Sequence, residues 1–253
     1  MSGPLPLSLC VITRDAAGEI VDCLASAAFA GEVVVVDSGS RDDTVEIARG
    51  RGARVIERAW AGFGAQKNFA VGAAAHDWVL CLDADERVTP EMAAAIASEI
   101  AAPRVSAYAF ARRNRFLGRW LAHGEGYPDW NVRLFDRRRA RWSDDPVHEH
   151  VLVDGPVVRL AGDLLHASAE SLDAYLAKQN HYTTLQAAAM NARGERAGVT
   201  RMVVSPIVRF IRFYVLRLGF LDGVAGLVHI AIGCQNSFLK YAKLRALHAE
   251  ARQ

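Results

Sequence analysis

Along the first hundred residues, short β-branched and apolar runs alternate with Ala-rich stretches whose apolar positions recur every three to four residues. The apolar runs predict strands at 7–13, 32–37, 54–57 and 78–83, and the intervening periodicity predicts helices at 19–29, 43–51 and 66–75. Asp42, Asp43 and Ser40 are available as N-caps for the second of these helices. VVVV and WVLCL are nearly continuous in apolar character, as in strands covered on both faces, so the rhythm predicts a βαβαβαβ unit with a parallel sheet. A further helix over 90–101 has Pro90 in its first turn, where a missing N–H costs nothing.

After Pro103 the pattern changes. Aromatic and arginine residues mix in RRNRFLGRWLAHGEGYPDWNVRLFDRRRARW, and Gly and Pro punctuate shorter segments, which predicts loops and antiparallel strands. Residues 171–191 are helical in pattern, 194–200 form a linker, and 202–247 are apolar and helical with breaks near Leu218-Gly219 and Asp222-Gly223.

The chain has 253 residues, 51% of them hydrophobic and 23% charged, so it has enough apolar surface for a packed core, and general disorder is excluded. Thirty Lys and Arg stand against twenty-eight Asp and Glu, a balance that gives no bulk polyanion-binding character. With no nucleic-acid-binding motif either, nucleic acid is not expected as a partner. Cys10, Cys23, Cys81 and Cys234 are widely spaced and mostly sit in apolar runs, which predicts buried thiols in a reducing compartment. The opening MSGPLPLSLCVITRD lacks a basic n-region and runs into a strand, so no secretory signal is expected.

Open parallel sheets bind ligands beyond the carboxyl ends of their strands. Here those ends carry Thr13-Arg14-Asp15, Asp37-Ser38-Gly39-Ser40 and Asp83-Ala84-Asp85-Glu86. Each alone is also an ordinary loop or cap sequence; their concentration on one rim points to a site. Two carboxylates spaced i, i+2 at a turn can face one hard divalent cation, which in turn can bridge a diphosphate. This DXD pattern is weak by itself and gains weight from its place after the fourth strand.

The segments LSLCVITRDAAGEIVDCLAS, VVVVDSGSRDDTVEIARGRGARV and GFGAQKNFAVGAAAHDWVLCLDADERVTPEM, in that order, resemble the inverting nucleotide-sugar transferases of glycosyltransferase family 2 over residues 7–95. The later segments YPDWNVRLFDRRRARW, PVHEHV and LLHAS are similar to the branch that glucosylates an inner-core heptose of lipopolysaccharide. The resemblance implies an α/β GT-A fold. Along the chain this gives a nucleotide-sugar-binding half at 1–102 and an acceptor-binding and catalytic half at 103–200, and the residue pattern adds a helical membrane-associating segment at 201–253. It implies a UDP-sugar donor, glucose as the transferred sugar, a lipid-anchored saccharide acceptor, and Mg2+ or Mn2+ as cofactor. Residue by residue, it implies that Thr13, Arg14, Asp37 and Ser38 shape the nucleotide pocket, and that Lys67 and Asn68 contact nucleotide or diphosphate. It further places Asp83 near the ribose and metal and makes Asp85 the principal metal ligand. His166 is a further candidate metal or diphosphate contact, with a satisfied core histidine as the alternative, and imidazole ligation favours Mn2+ over Mg2+.

Inversion by single displacement needs one general base opposite the leaving diphosphate. Glu149, between His148 and His150, is the first candidate and Asp145 the second; a structural ion pair is the alternative for Glu149 and a loop cap for Asp145. His148 and His150 lack the further spaced ligands of a zinc site. Trp120, Tyr127, Trp130 and Trp142 are candidates for sugar stacking or for core packing. Arg133, Arg137, Arg138, Arg139 and Arg141 form a solvated face or meet an anionic acceptor.

From Arg201 onward, eight Lys and Arg stand against Asp222 and Glu250. The seventeen uncharged residues between Asp222 and Lys240 are too few and too polar for a membrane span. Apolar residues interleave with Arg209, Arg212 and Arg217, which suits a helix lying among anionic head groups or one packed on protein. The expected location is therefore cytoplasmic and peripheral, at the inner face of a bacterial inner membrane. A transferase with another nucleotide sugar or a polyprenyl-linked acceptor, and a catalytically silent membrane-docking protein of the same fold, are the competing readings.

Overall fold

The computed structural model describes residues 3–145, 149–167 and 171–250. The chain divides into two compact units. The first comprises Met1–Arg112 with Asp129–Ala167, and the second Arg113–Pro128 with Ser168–Gln253.

In the first unit, β1 (Leu5–Thr13), β2 (Ala30–Asp37), β3 (Arg54–Glu57) and β4 (Trp78–Asp83) pair in parallel in the order β3-β2-β1-β4. They are connected through α1 (Ile20–Ser26), α2 (Thr44–Gly50) and α3 (Phe63–Ala73). Helix α3 begins three residues earlier than its apolar period indicates, because Gly62 at φ 100° turns the chain into it and Gly64 interrupts the apolar signal. After β4 come β5 (Glu86–Val88) and α4 (Pro90–Ala101), then β6 (Ala107–Phe116), β8 (Asp129–Asp136) and β11 (Val157–His166). These extend the sheet as β4-β8-β6-β11-β5, and β8 runs antiparallel to both β4 and β6. A separate ribbon pairs β9 (Ala140–Trp142) with β10 (Val151–Val153).

Strand alternation gives the sheet two buried faces. Leu7, Leu9, Val11, Val35, Leu80 and Leu82 join Met92 and Ile96 on one side. Cys10, Ile12, Val34, Val36, Val79 and Cys81 join Val71 of α3 and Trp142 on the other. The near-continuous apolar runs are thus strands covered on both faces. Cys10, Cys23 and Cys81 are buried as free thiols, and Cys234 is half-buried.

Helix α4 starts as its sequence dictates. Thr89 Oγ1 accepts the Met92 N–H (3.3 Å) and also the Asp163 N–H of β11 (3.1 Å), which ties cap to sheet. At Gly162 (φ 89°) the strand lies so close to α4 that a Cβ would collide with the Met92 backbone.

The second unit contains the hairpin arm closed by β7 (Arg119–Trp120), then α5 (Leu172–Ala192), α6 (Val199–Phe210) and α7 (Gly223–Glu250). A π-helical turn, Ile211–Leu216, and a 3-10 turn, Gly219–Asp222, join α6 to α7. Ala187 and Met190 of α5 pack on Tyr241 and Leu244 of α7. The buried Asp222 accepts the backbone N–H groups of Ala122 and His123 (2.8–3.1 Å), fixing the arm to the start of α7. Arg209 closes the same region through an ion pair with Glu125 and a bond to Ser237 Oγ at 3.1 Å.

Candidate active site

Parallel pairing puts the ends of β1, β2 and β4 on one rim. Thr13 pairs with Asp37 across β1 and β2, and Ile12 with Asp83 across β1 and β4. At the β2 end, Asp37 folds the following loop around itself. Its carboxylate accepts the N–H groups of Gly39 and Ser40 (2.9 Å each) and the Ser40 hydroxyl. Ser40 Oγ in turn accepts the Asp15 N–H (2.8 Å), and Asp15 Oδ1 accepts the Arg41 N–H (2.7 Å). Asp15 adopts φ 50°, an unfavourable conformation for a side chain with a Cβ, held here by those two bonds. The Ser38 N–H bonds to the Thr13 carbonyl (2.9 Å), and Ser38 Oγ accepts from Gln66 of α3 (3.0 Å). Thr13 Oγ1 is buried and has no hydrogen-bond partner among the described residues. Arg14 is exposed and lies 3.6 Å from Asp15. An open cleft of about 380 Å³ lies beyond this loop, lined by Asp37, Ser40, Arg41, Arg49 and Glu57 among others.

The β4 end holds a dense charge cluster. Asp83 places one oxygen 3.0 Å from Lys67 Nζ of α3 and the other 3.1 Å from the Arg133 guanidinium of β8. Lys67 also reaches Glu149 at 2.8 Å, and Arg133 reaches the fully buried Glu86 at 2.6 Å. Both cations are about 5% exposed and lie over the Trp142 ring, at 4.5 Å for Lys67 and 5.5 Å for Arg133. Glu86 Oε2 accepts the Asp83 N–H (3.0 Å), while Arg112 holds Asp129 (2.8 Å) and lies 3.8 Å from Glu86.

Ion pairs cut off from water stand or fall by their pairing. Burial pushes the Asp83 pKa up, yet Lys67 and Arg133 outweigh it and hold the carboxyl well below the usual range. Burial likewise disfavours the Lys67 ammonium, but Asp83 and Glu149 overcome burial and the Arg133 charge and raise its pKa. For Arg133, burial is again overcome, by Glu86 and Asp83, so its pKa also rises. Asp83, Lys67 and Arg133 are therefore all held in their charged forms.

Asp85 faces elsewhere. Its Oδ2 lies 3.0 Å from His166 Nε2 at the end of β11, and both side chains are a quarter to a third exposed. The two meet because β11 pairs with β5, and the Ala167 N–H bonds to the Asp85 carbonyl at 3.1 Å. Burial raises the Asp85 pKa, but the bond to His166 lowers it further, giving a net depression.

The donor set can be tested against a divalent ion. Among the described residues, no group of three or more His, Cys, Asp or Glu side chains forms a cage. Asp85 and His166 fit as a two-donor site for an ion that takes the rest of its shell from substrate and water, and the imidazole suits Mn2+ better than Mg2+. Asp83 does not fit as a direct ligand, since each of its oxygens already faces a buried cation.

Other expected residues have different places. Asn68 makes two bonds to the Trp142 backbone (2.9 Å each), so it anchors β9 to α3. Gly64 lets the chain at Ser143 lie directly on α3, where a Cβ would strike the Ser143 carbonyl. Asp145 is half-exposed, 3.3 Å from His150 Nδ1. Pro146, Val147, His148 and Ser168 lie outside the described residues.

Trp142 is core beneath the two cations, whereas Trp130 is exposed and carries Arg159 on its ring at 4.7 Å. The arginine run is not one basic face. Arg133 is buried among carboxylates, Arg137 bonds the Val71 and Ala74 carbonyls at the end of α3, and Arg138 pairs with Asp136 and Asp77. Sequence reasoning did not single out Glu86 for the cluster or separate Arg133 from its neighbours. The available signal was an arginine in alternation on a strand, next to large apolar residues at Leu134 and Phe135.

A mixed sheet whose parallel half ends in a rim of hydroxyl, carboxylate and cationic groups, extended by antiparallel strands, is the architecture of the nucleotide-sugar transferase class of α/β proteins. The family model for glycosyl transferase family 2 matches residues 8–152, and the chain belongs to that family. The lipopolysaccharide core biosynthesis glycosyltransferase LpsC of Rhizobium meliloti is 28% identical, over 97% of this chain and 94% of its own. An uncharacterized glycosyltransferase of Rickettsia typhi is 29% identical, over 97% of this chain and 89% of its own. In structure the chain is similar to Staphylococcus aureus TarS 1-349, crystallised with UDP-GlcNAc. That match has a TM-score of 0.50 at 14% identity and covers 97% of this chain and 92% of the other. The fold is GT-A, and the protein is a glycosyltransferase.

Proposed function

We propose that this enzyme transfers glucose from UDP-glucose to an inner-core sugar of lipopolysaccharide, by single displacement with inversion, at the cytoplasmic face of the inner membrane. The name of the R. meliloti relative supports the acceptor class, and the sequence resemblance supports the donor. The observation that carries the mechanism is the separation of two carboxylate environments at one strand end: Asp83 clamped by Lys67 and Arg133, and Asp85 paired with His166 alone among the described ion pairs.

In this reading the loop of Asp37, Ser38 and Ser40 receives uracil and ribose, with the unpartnered Thr13 hydroxyl and Arg14 beside it. Asp83, Lys67 and Arg133 form the rigid floor. Asp85 and His166 would hold Mn2+ or Mg2+, whose chemistry is to neutralise charge on the departing diphosphate. Glu149, oriented by Lys67, takes the proton of the acceptor hydroxyl as that oxygen bonds to the anomeric carbon and the bond to the diphosphate oxygen breaks. The Lys67 pair also favours a second reading, in which Glu149 is purely structural and Asp145, beside His150, is the base.

The test is a panel of sugar nucleotides with and without Mn2+, read as nucleoside diphosphate release in the absence of acceptor and as transfer in its presence. UDP-glucose should be turned over, Asp85→Asn should remove the metal-dependent part, and Glu149→Gln should keep donor binding while losing transfer. Folded protein that turns over no activated sugar would overturn the assignment. Normal turnover by Glu149→Gln would move the base to Asp145.

A further inference from the structure

The second unit has an apolar surface that its own packing leaves uncovered. An amphipathic helix of a globular protein ordinarily buries its apolar stripe. Here not one residue of α6 or of the π-helical turn after it is buried, although Val199, Val203, Ile207, Ile211 and Val215 recur every four residues and stand 46–55% exposed. The stripe leads to a sharp bend: the segments Val199–Leu216 and Gly219–Glu250 meet at 74°. Leu218, at φ 55°, makes the corner in a conformation that a branched side chain adopts only under constraint. A connection of this kind in water is normally polar. This one presents Leu216, Leu218, Phe220, Leu221 and Val224, with Leu216 and Val224 more than 70% exposed.

Charge identifies the occupant. From Arg196 to Leu221 the chain carries five arginines and no Asp or Glu. Arg209 and Arg217 are committed to Glu125 and to the Tyr127 carbonyl, whereas Arg201 and Arg212 are exposed. A second protein copy would gain from the apolar stripe but would have to set this acid-free segment against itself. Lipid tails with anionic head groups complement both features. Among the described residues, no single helix is long and apolar enough to cross a membrane.

We infer that the α6–α7 bend inserts into the head-group and upper acyl region of an anionic bilayer, with Leu216, Phe220 and Val224 at its tip and Arg201 and Arg212 at the phosphates. The inference rests on the proposed lipid-anchored acceptor for its purpose; the contact itself is testable without transfer.

The experiment is co-sedimentation of the full chain with phosphatidylcholine vesicles and with vesicles containing 30% phosphatidylglycerol, a composition roughly that of an anionic leaflet. Binding to the anionic vesicles should exceed binding to the neutral ones at least about tenfold and should fall with salt. The double variant Leu216→Glu/Val224→Glu should lose at least about tenfold of that binding with an unchanged melting temperature, since both side chains are already in water. Arg201→Glu/Arg212→Glu should remove the preference for anionic vesicles. No vesicle binding, or binding indifferent to both variants, overturns the inference. So does a wild-type dimer that the first variant splits while vesicles remain unbound. Donor hydrolysis by the same samples separates the two readings: a variant that leaves vesicles but still releases UDP isolates the docking surface. Vesicle binding without any turnover would defeat the catalytic reading alone.

Discussion

The strand-end cluster of the first unit and the helical bend of the second solve opposite problems. At the end of β4, Lys67, Arg133 and Glu86 are taken out of water and each is matched: Lys67 by Asp83 and Glu149, Arg133 by Asp83 and Glu86. At the bend, apolar groups are left in water and unmatched, Leu216 and Val224 above all. Matched burial holds each group of the cluster to a fixed partner. Unmatched exposure leaves an apolar surface without cover of its own. The contrast teaches that charge enters the interior only where its pairing is complete, whereas an apolar group can stay at the surface with its packing unmade.

That contrast has measurable edges. Removing one cation from the cluster should have the largest effect. Lys67→Met leaves Asp83 and Glu149 facing a void in charge, and should cost about 3–5 kcal/mol in denaturant unfolding. Arg133→Met, which strands Glu86 and Asp83, should do the same. If either variant unfolds like the wild type, the cluster is not structural.

Asp85→Asn should instead leave stability within about 1 kcal/mol while lowering metal-dependent donor turnover at least about 100-fold, as expected for a charge needed only at the leaving group. Equal losses of stability in Asp85→Asn and Lys67→Met would erase the distinction between the two carboxylates.

Acid should separate the units. Burial and the Arg209 charge lower the pKa of His229 to about 4 in the folded second unit. An imidazole depressed in this way contributes stability above its unfolded value, and that contribution is lost as pH falls from about 6.5 to about 4, up to about 3 kcal/mol. The depressed Asp83 works in the same direction but begins to act only below about pH 4, the ordinary carboxylate range. Melting followed across this window should therefore show the second unit weakening first. His229→Phe, whose ring suits the Phe116 and Tyr175 contacts, should flatten the response. A wild-type curve already flat between pH 6.5 and 4 would sink the idea.

The smallest effect belongs to the bend. Leu216→Ser should change stability by no more than about 0.5 kcal/mol, because the side chain is 72% exposed. A larger loss would mean that the apolar surface is internal packing after all.

Local order in the chain is enough to show the parallel half of the fold. The strands ending in Thr13, Asp37 and Asp83 are legible because each strand and helix carries its own period, and because polar residues can follow such strands only at their ends. The two faces of the sheet follow from the same runs. The loop after β2 is legible for the same reason: Asp37 accepts the N–H groups of Gly39 and Ser40, two and three residues on. The start of α3 is not, since Gly62 and Gly64 carry no apolar signal.

The cluster was only half visible. Asp83, Asp85, Lys67, Glu149 and His166 stand out as residue types, but nothing in their spacing tells which of them touch. Strand β8 is inserted between β4 and β6, and only that order brings Arg133, fifty residues from Asp83, to its carboxylate. Likewise the pairing of β11 with β5 joins His166 to Asp85 and leaves Asp83 to the cations. An arginine run has one appearance in sequence whether its members are solvated or buried; strand alternation and neighbouring carboxylates decided that Arg133 went inside and Arg141 stayed outside. The sequence alone determined the parallel sheet, its rim of polar strand ends and the basic, apolar character of the tail, because those are properties of contiguous residues. Which charges neutralise one another, and which apolar side chains are left without a neighbour, depended on contacts between distant parts of the chain, and only tertiary packing could assign them.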